Sequence, residues 1–132
     1  MSKAIKISRV IRPSAVLTAS YVFTTGVDVR SCNQAALLVD FTKGSLTTGE
    51  IKAQGSQDGT TWYDIPFSNT TAGTTSSNEF LAPLRVYVHQ MDASSTHIVY
   101  VPLVLKWFRI GYKGTGTVTN SLGAVTLVAG TV

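Results

Sequence analysis

The residues best suited to chemistry are His89 and His97, which the pattern places on neighbouring strands joined by a short turn carrying Asp92. Two imidazoles and a carboxylate form zinc sites in many proteins. Here their spacing matches no compact ligand motif, and each histidine has an apolar or β-branched neighbour. The sequence therefore favours surface or hydrogen-bonded histidines over a metal site, and it predicts no metal and no cofactor.

A second candidate is the carboxylate pair formed by Asp58 and Asp64. Glycoside hydrolysis needs two carboxylates about 5–10 Å apart, one of them desolvated. Asp58 is explained as a turn residue, however, and Asp64 by a solvent-facing strand position. The chain contains no GxSxG, HExxH, CxxC or Walker-type motif, and its single cysteine, Cys32, has no partner base nearby in sequence. We therefore expect a protein that is not an enzyme.

Two adjacent aromatic pairs, Trp62-Tyr63 and Trp107-Phe108, lie in strand-like runs. Neighbouring residues of a strand point to opposite faces, so one ring of each pair fills the core and the other faces outward. Outward rings on a β-sandwich stack on sugars, become buried at subunit interfaces, or are shielded by the protein's own loops. Trp62 and Trp107 are therefore candidate interface residues, and a sugar-stacking role for either stays open.

The positive charge is concentrated in an N-terminal arm, residues 1–13. Seven basic and seven acidic residues balance from Pro13 onward, so the formal charge of +4 belongs to the arm. One interpretation is a partly ordered terminus or a first strand that guards a sheet edge. The other is an arm that docks on an acidic neighbour or on nucleic acid, although no interleaved aromatic residue supports nucleic acid. The candidate interface residues of the arm are Lys3, Lys6, Arg9 and Arg12.

The elements that position these residues are strands. Ala35–Thr42, Glu50–Ser56 and Thr61–Pro66 predict a three-strand meander, because Ile51 and Ala53 alternate with polar neighbours. The Asp58-Gly59 corner predicts a type I′ hairpin turn. Further strands are expected at Ala15–Phe23, Gly26–Cys32, Phe80–Met91, His97–Leu105, Lys106–Tyr112, Val118–Asn120 and Leu122–Val128, with a turn at Gly114–Gly116.

Length and composition agree with one all-β domain. The chain has 132 residues, few of them charged, and it is rich in β-branched and turn-forming residues. We expect an antiparallel β-sandwich, jelly-roll-like, with about eight strands over residues 14–132 and no significant helix. His97–Leu105 is apolar on both faces, which predicts a central strand. The uncharged segment Phe67–Asn78 predicts a long loop.

The chain has no apolar run long enough to span a membrane, so no membrane contact is expected. Its first residues lack the apolar region of a secretory signal, which predicts synthesis in the cytoplasm.

The segment IKAQGSQDGTTWYDIP and the later segment WFRIGYKGTGTVTNSLGAVTLVAG together cover about a third of the chain. They resemble a pattern of small virion structural proteins of tailed bacteriophages. The matching residues are Ser56, Asp58, Gly59, Trp62, Arg109, Ile110, Tyr112, Gly114 and Gly116. A similar corner occurs in discoidin-like carbohydrate-binding sandwiches, but the absence of paired cysteines favours the virion family.

This resemblance implies a capsid decoration (cement) protein located in the virion, which self-associates and contacts the major capsid protein or other virion proteins. The arm and the Phe67–Asn78 loop are the expected contact segments. The alternative is a carbohydrate-binding protein or a fibre, neck or tail component of the virion. Nucleic acid is not an expected partner.

Overall fold

The computed structural model describes residues 4–68 and 85–131. The all-β class predicted from the sequence is confirmed: these residues form strands and no helix. There are twelve strands in the described residues instead of about eight, because irregular stretches add ladders of only two or three residues. The strands are β1 (Ala4–Ala15), β2 (Val22–Phe23), β3 (Val27–Asp28), β4 (Gln34–Thr42), β5 (Leu46–Ser56), β6 (Tyr63–Ile65), β7 (Phe67–Ser68), β8 (Arg85–Val86), β9 (His89–Met91), β10 (Ser95–Pro102), β11 (Trp107–Gly116) and β12 (Leu122–Thr131).

Two antiparallel sheets make up the body. Sheet A has the order β1-β12-β4-β10, and sheet B has the order β2-β11-β5-β6. In sheet B, β3 also pairs with β11 and β9 also pairs with β5, while β7 and β8 form a separate two-stranded ladder. The chain changes sheet between β4 and β5 and again between β11 and β12, so the two sheets face each other as a sandwich.

The predicted meander is wrong in its first step. Ala35–Thr42 lies in β4 of sheet A, whereas β5 belongs to sheet B, so these two strands do not pair. Strands β4 and β5 each bury one apolar face, and they pack these faces against the same core from opposite sheets. Gly44, with φ of 55°, turns the short connection from one sheet to the other. The second step is confirmed, since β5 pairs with β6 from Ala53 opposite Ile65 to Gly55 opposite Tyr63.

The Asp58-Gly59 corner also differs from the prediction. A type I′ turn needs positive φ at both central residues. Gly59 has a positive φ of 79°, but Asp58 does not, since no described non-glycine residue has positive φ. Instead, Oδ1 of Asp58 accepts hydrogen bonds from the backbone N–H groups of Thr60 and Thr61, each at 2.8 Å. The bonds from Thr61 and Thr60 hold the pKa of the Asp58 carboxyl below its usual value. Asp58 is thus occupied in shaping the turn.

The core fills the space between the sheets as one cluster. Alternate residues of each long strand point inward, as the period of two requires. Sheet A contributes Leu37, Val39, Val99, Val101, Val125 and Leu127, and sheet B contributes Ile51, Ala53, Phe108, Ile110 and Tyr112. The Tyr112 hydroxyl donates to the backbone carbonyl oxygen of Asp40 at 3.3 Å, which links sheet B directly to sheet A.

Each sheet also leaves room for a ring from the other. A Cβ atom added at Gly123 in sheet A would lie 2.7 Å from Cζ of Tyr112, and one added at Gly49 in sheet B would collide with the Phe41 ring. Glycine at these two places lets a large ring approach the opposite backbone. The two rings therefore help to fix how the sheets stack.

Strand boundaries differ elsewhere too. Within the predicted strands Ala15–Phe23 and Gly26–Cys32, the paired residues are Ala15 at the end of β1 and the short strands Val22–Phe23 and Val27–Asp28. The predicted strand Phe80–Met91 begins outside the described residues, and its described part is interrupted between β8 and β9. Strand β11 continues through the turn predicted at Gly114–Gly116, and the predicted strand Val118–Asn120 is a loop. Most of the predicted Phe67–Asn78 loop lies outside the described residues.

The placement of β10 also corrects an expectation. His97–Leu105 is apolar on both faces, which predicted a central strand, but β10 is the outermost strand of sheet A. Val99 and Val101 point into the core, while Ile98 and Tyr100 face outward and are 52% and 64% exposed. Its apolar outer face is therefore not covered by another described strand.

Candidate interaction surfaces

The first surface to consider is the predicted N-terminal arm, most of which is strand β1 at the edge of sheet A. From Ala4 onward it pairs with β12, and Ile7 and Ile11 pack against the core. Lys6 and Arg9 are exposed on this edge, whereas Lys3 lies outside the described residues. The described part of the arm is therefore an edge strand, as the first of the two interpretations predicts.

Arg12 leaves this row of basic residues. Its guanidinium lies over the ring of Tyr112, 5.3 Å from the centroid, and Nε donates to the carbonyl oxygen of Gly123 at 3.1 Å. Burial lowers the pKa of Arg12 below its ordinary value. Arg12 therefore closes the edge of the sandwich, and the basic residues free to meet a partner on β1 are Lys6 and Arg9.

A larger surface is the outer face of sheet A, which we call the platform. Five large apolar side chains define it: Ile5, Val10, Leu38, Ile98 and Tyr100. Each is at least 39% exposed. The sequence forms this face because apolar residues occupy the outward as well as the inward positions of β4 and β10. The outward positions of β4, β10 and β12 carry a single charged residue, Asp40.

The platform is continuous across all four strands. One row joins Ile98 to Leu38, Leu38 to Thr126, and Thr126 to Val10, each opposite the next in the ladder. The next row runs from Tyr100 through Ala36 and Val128 to Ser8. A shallow depression of about 290 Å³ at one end is lined in part by Ile5, Ala36, Tyr100 and Val128. The face can thus receive an apolar projection from a partner.

The platform is not among the surfaces predicted from the sequence. The usable signal was the alternation of Ile98 and Tyr100 with Val99 and Val101, which gives β10 two apolar faces. Two apolar faces indicate a strand covered on both sides, but the cover can come from the same chain or from another protein. The structure shows that no described residue of this chain covers the outer side.

The outer face of sheet B is built differently, around Arg109. The Arg109 guanidinium lies between two rings, 4.2 Å from the centroid of Trp62 and 4.3 Å from that of Phe23. Its Nε donates to Oε1 of Gln54 at 2.8 Å, and Nε2 of Gln54 donates to Asp64 at 2.9 Å. Burial lowers the pKa of Arg109. This stack holds the guanidinium in one orientation.

The charges around this stack are paired within the chain. Lys52 lies 3.7 Å from a carboxylate oxygen of Asp64, and Lys113 lies 3.6 Å from one of Glu50. The hydroxyl of Tyr21 donates to Glu50 at 3.0 Å, and burial, followed by that bond, raises the pKa of Tyr21. Sheet B therefore presents a polar, internally matched face, in contrast to the platform.

Both candidate tryptophans have a cation over their rings. Arg109 covers Trp62, and Arg30 lies 5.7 Å from the centroid of Trp107 while pairing with Asp28 at 3.0 Å. A sugar that stacks on either ring would have to use its other face. Trp62 and Trp107 lie in or beside sheet B, so the structure does not join them with the basic residues of β1. Their role as interface residues stays a prediction.

The two histidines are brought together. Nε2 of His89 lies 2.8 Å from Nε2 of His97, and Nδ1 of His97 lies 3.0 Å from the Ser95 hydroxyl. Burial, and to a smaller extent the nearby His97, lowers the pKa of His89 to about 4. Burial also lowers the pKa of His97. In residues 4–68 and 85–131, no group of three or more His, Cys, Asp or Glu residues is placed to hold a metal ion. The pair is a hydrogen-bonded contact between strands β9 and β10.

The described part of the chain contains no helix that is long and apolar enough to cross a membrane.

Comparison with known proteins finds similarity in structure and none in sequence. No protein-family model matches the chain, and no curated protein sequence matches it significantly. Among solved structures, the chain is similar to the crystal structure of the SPBc2 prophage-derived protein YomS, with a TM-score of 0.55 and 11% sequence identity. The match covers 98% of this chain and 96% of that one, so the two share a fold over nearly their whole length.

Proposed function

We propose that this protein is a non-enzymatic structural component of a phage virion, and that it decorates the capsid by placing its platform on the major capsid protein or another virion protein. Two independent features support a phage origin. The chain resembles small virion proteins in the residues around Asp58-Gly59 and Arg109, and its fold is shared by a prophage-derived protein.

The observation that carries the proposal is the exposed platform. Monomeric soluble proteins rarely expose a continuous apolar patch with an area of more than a few hundred Å², and a larger patch marks an interaction site. Four strands spaced about 4.8 Å apart make a face roughly 15–20 Å wide. Ile5, Val10, Leu38, Ile98 and Tyr100 are spread over that width. Covering such side chains contributes about 1.5–3 kcal/mol for each one that becomes fully buried.

Decoration of this kind acts mechanically. A sandwich whose platform contacts more than one capsid subunit must be detached before those subunits separate, so it raises the free energy needed to open the shell. Lys6 and Arg9 are exposed on β1, the edge strand that carries the platform residues Ile5 and Val10, and they would meet acidic groups of a partner that also contacts this edge. Nothing in this mechanism needs a cofactor or a catalytic group.

Binding of the purified protein to phage particles that lack it tests the proposal. Tyr100→Ser removes a ring from the platform, and Tyr63→Ser removes one from sheet B. The two tyrosines are 64% and 60% exposed, so the variants form a matched pair. We expect Tyr100→Ser to weaken binding about tenfold or more, since 1.4 kcal/mol of lost burial is a factor of ten. Tyr63→Ser should bind like the wild type.

Equal binding by Tyr100→Ser and the wild type would remove the platform from the account. Failure of the wild-type protein to bind particles of any kind would remove the virion role itself.

A further inference from the structure

The two edges of sheet A are protected to different degrees. An edge strand exposes unpaired backbone N–H and C=O groups, which natural proteins guard with charges, proline or β-bulges. On β1 all three devices are present: the basic residues Lys6 and Arg9, Pro13, and three register shifts against β12. This edge is therefore poorly suited to receive another strand.

The opposite edge, β10, lacks these devices. Its eight residues pair with β4 without a register shift, from Ser95 opposite Phe41 to Pro102 opposite Gln34. The strand carries no Lys, Arg, Asp or Glu, and its proline stands at the last position. Its centre, Ile98–Val101, is β-branched or aromatic throughout, and the outward side chains Ile98 and Tyr100 are more than half exposed. A regular, uncharged edge of this composition favours pairing with a further strand.

We propose that β10 is the site of self-association, where it pairs antiparallel with β10 of a second copy, so that sheet A continues across a two-fold axis. This inference rests on the geometry of the edge and does not depend on a role in the virion. The pairing is isologous, because each copy offers the same strand to the other.

The register follows from the side chains. With the axis at Val99, Ile98 of each copy lies opposite Tyr100 of the other, so both exposed residues gain a partner. Pairs of an aromatic and a β-branched residue are among the favourable cross-strand contacts. Because the strand is uncharged, no like charges face each other across the axis.

The size of the contact is adequate. A strand of eight residues is about 27 Å long, and a two-sheet edge with its side chains is about 20 Å thick. The second copy would thus cover about 500 Å² on each side, or about 1,000 Å² in total, which reaches the lower bound for a specific interface. In the pair, Ile98 and Tyr100 still face outward, so two platforms join into one.

Cysteine cross-linking in the full chain tests the register. In a Cys32→Ala background, Val99→Cys places two thiols on the axis, where opposite Cα atoms are about 4.5–5.5 Å apart and within disulfide range. Val101→Cys is the matched control, since it is another buried valine of β10. The residues at position 101 of the two copies would lie about 14 Å apart, because four residues at about 3.4 Å each separate them along the strand. A double variant, Ile98→Cys with Tyr100→Cys, reports the same register should Val99→Cys unfold.

We expect the wild type to sediment as a dimer. Under mild oxidation, Val99→Cys or the double variant should form a covalent dimer, and Val101→Cys should not cross-link. A wild type that sediments as a monomer at its highest soluble concentration would overturn the proposal. A dimer that cross-links equally through Val101→Cys would also overturn it. So would a dimer that cross-links through neither Val99→Cys nor the double variant, because the interface would then lie elsewhere. These readouts are separate from particle binding, so the proposed function can fail or stand independently.

Discussion

His89 and His97 hold their Nε2 atoms 2.8 Å apart, and this contact joins β9 of sheet B to β10 of sheet A. Both rings point into the gap between the sheets, next to the inward row that contains Ile51 and Val99. The contact requires that at least one of the facing nitrogens carries no proton, since two imidazolium rings would place N–H against N–H. The closure of this edge is therefore sensitive to protonation.

The first prediction concerns pH. The pKa of His89 falls from 6.5 to about 4 on folding, and that of His97 is also lowered. Between these values the unfolded chain binds more protons than the folded one, so the stabilisation is complete above pH 6.5 and is lost as pH falls towards 4. After allowance for partial exposure we expect a loss of about 1 kcal/mol, which lowers Tm by about 3–6 °C between pH 7.5 and 4.5.

Thermal unfolding followed by circular dichroism across that range measures the effect. The carboxyls of Asp28 and Asp58 have lowered pKa values, so their contribution is lost mainly below pH 4 and leaves this window clear. The variant His97→Gln should flatten the dependence. A Tm that is constant from pH 7.5 to 4.5, or equally steep in the variant, would contradict this account of the pair.

The second prediction concerns the packing of Tyr112 against Gly123. A methyl group at Gly123 would lie within 2.9 Å of both the Tyr112 ring and Leu17, so the ring would have to shift and strain its bond to Asp40. We expect Gly123→Ala to destabilise the protein by about 1–3 kcal/mol, the usual cost of overpacking a core. Ala124→Ser, on the outer side of the same strand, is the control and should change the unfolding free energy by less than about 0.5 kcal/mol.

Chemical denaturation of the two variants gives both values. A neutral Gly123→Ala would mean that Tyr112 does not fix the stacking of the sheets.

The third prediction separates the basic residues of β1. Deleting the arm would be a poor test, since Ile7 and Ile11 pack on the core and the deletion would expose it. Lys6→Gln and Arg9→Gln instead remove exposed charges. We expect each to weaken particle binding by a few-fold at low salt, with less effect at high salt, and to leave Tm unchanged. Arg12→Gln should instead lower Tm, because Arg12 is bonded to Gly123 and covers Tyr112.

Lys106→Gln, at an exposed cation outside sheet A, is the matched control. If it weakened binding as much as Lys6→Gln and Arg9→Gln, the effect would come from overall charge and not from the edge beside the platform.

Local sequence patterns predicted much of the fold. The alternation of Ile51, Ala53 and Gly55 identified the buried face of β5, and the Asp58-Gly59 corner identified its hairpin with β6. These features depend on residues close together in the chain. The period of two is set by the strand itself, so it can be seen without knowing what the strand packs against.

The errors arose where the outcome depends on distant residues. Nothing local in Ala35–Thr42 shows that it pairs with β12 and β10, and not with β5. The two apolar faces of β10 predict a strand that is covered on both sides within the chain, but β10 lies at the edge of sheet A. The same pattern fits a strand that another copy or another protein covers, and periodicity cannot tell these apart. The His89–His97 contact likewise requires knowing that β9 and β10 close one edge.

The central claim is that this protein coats a phage shell, and its copy number in particles tests that claim most directly. Particles purified on a density gradient would be analysed by quantitative mass spectrometry, with this chain measured against the major capsid protein. We predict a ratio of the order of one copy per capsid subunit or capsomer. A handful of copies per particle would contradict decoration and indicate a neck, tail or fibre component, and absence from particles would contradict the virion role altogether.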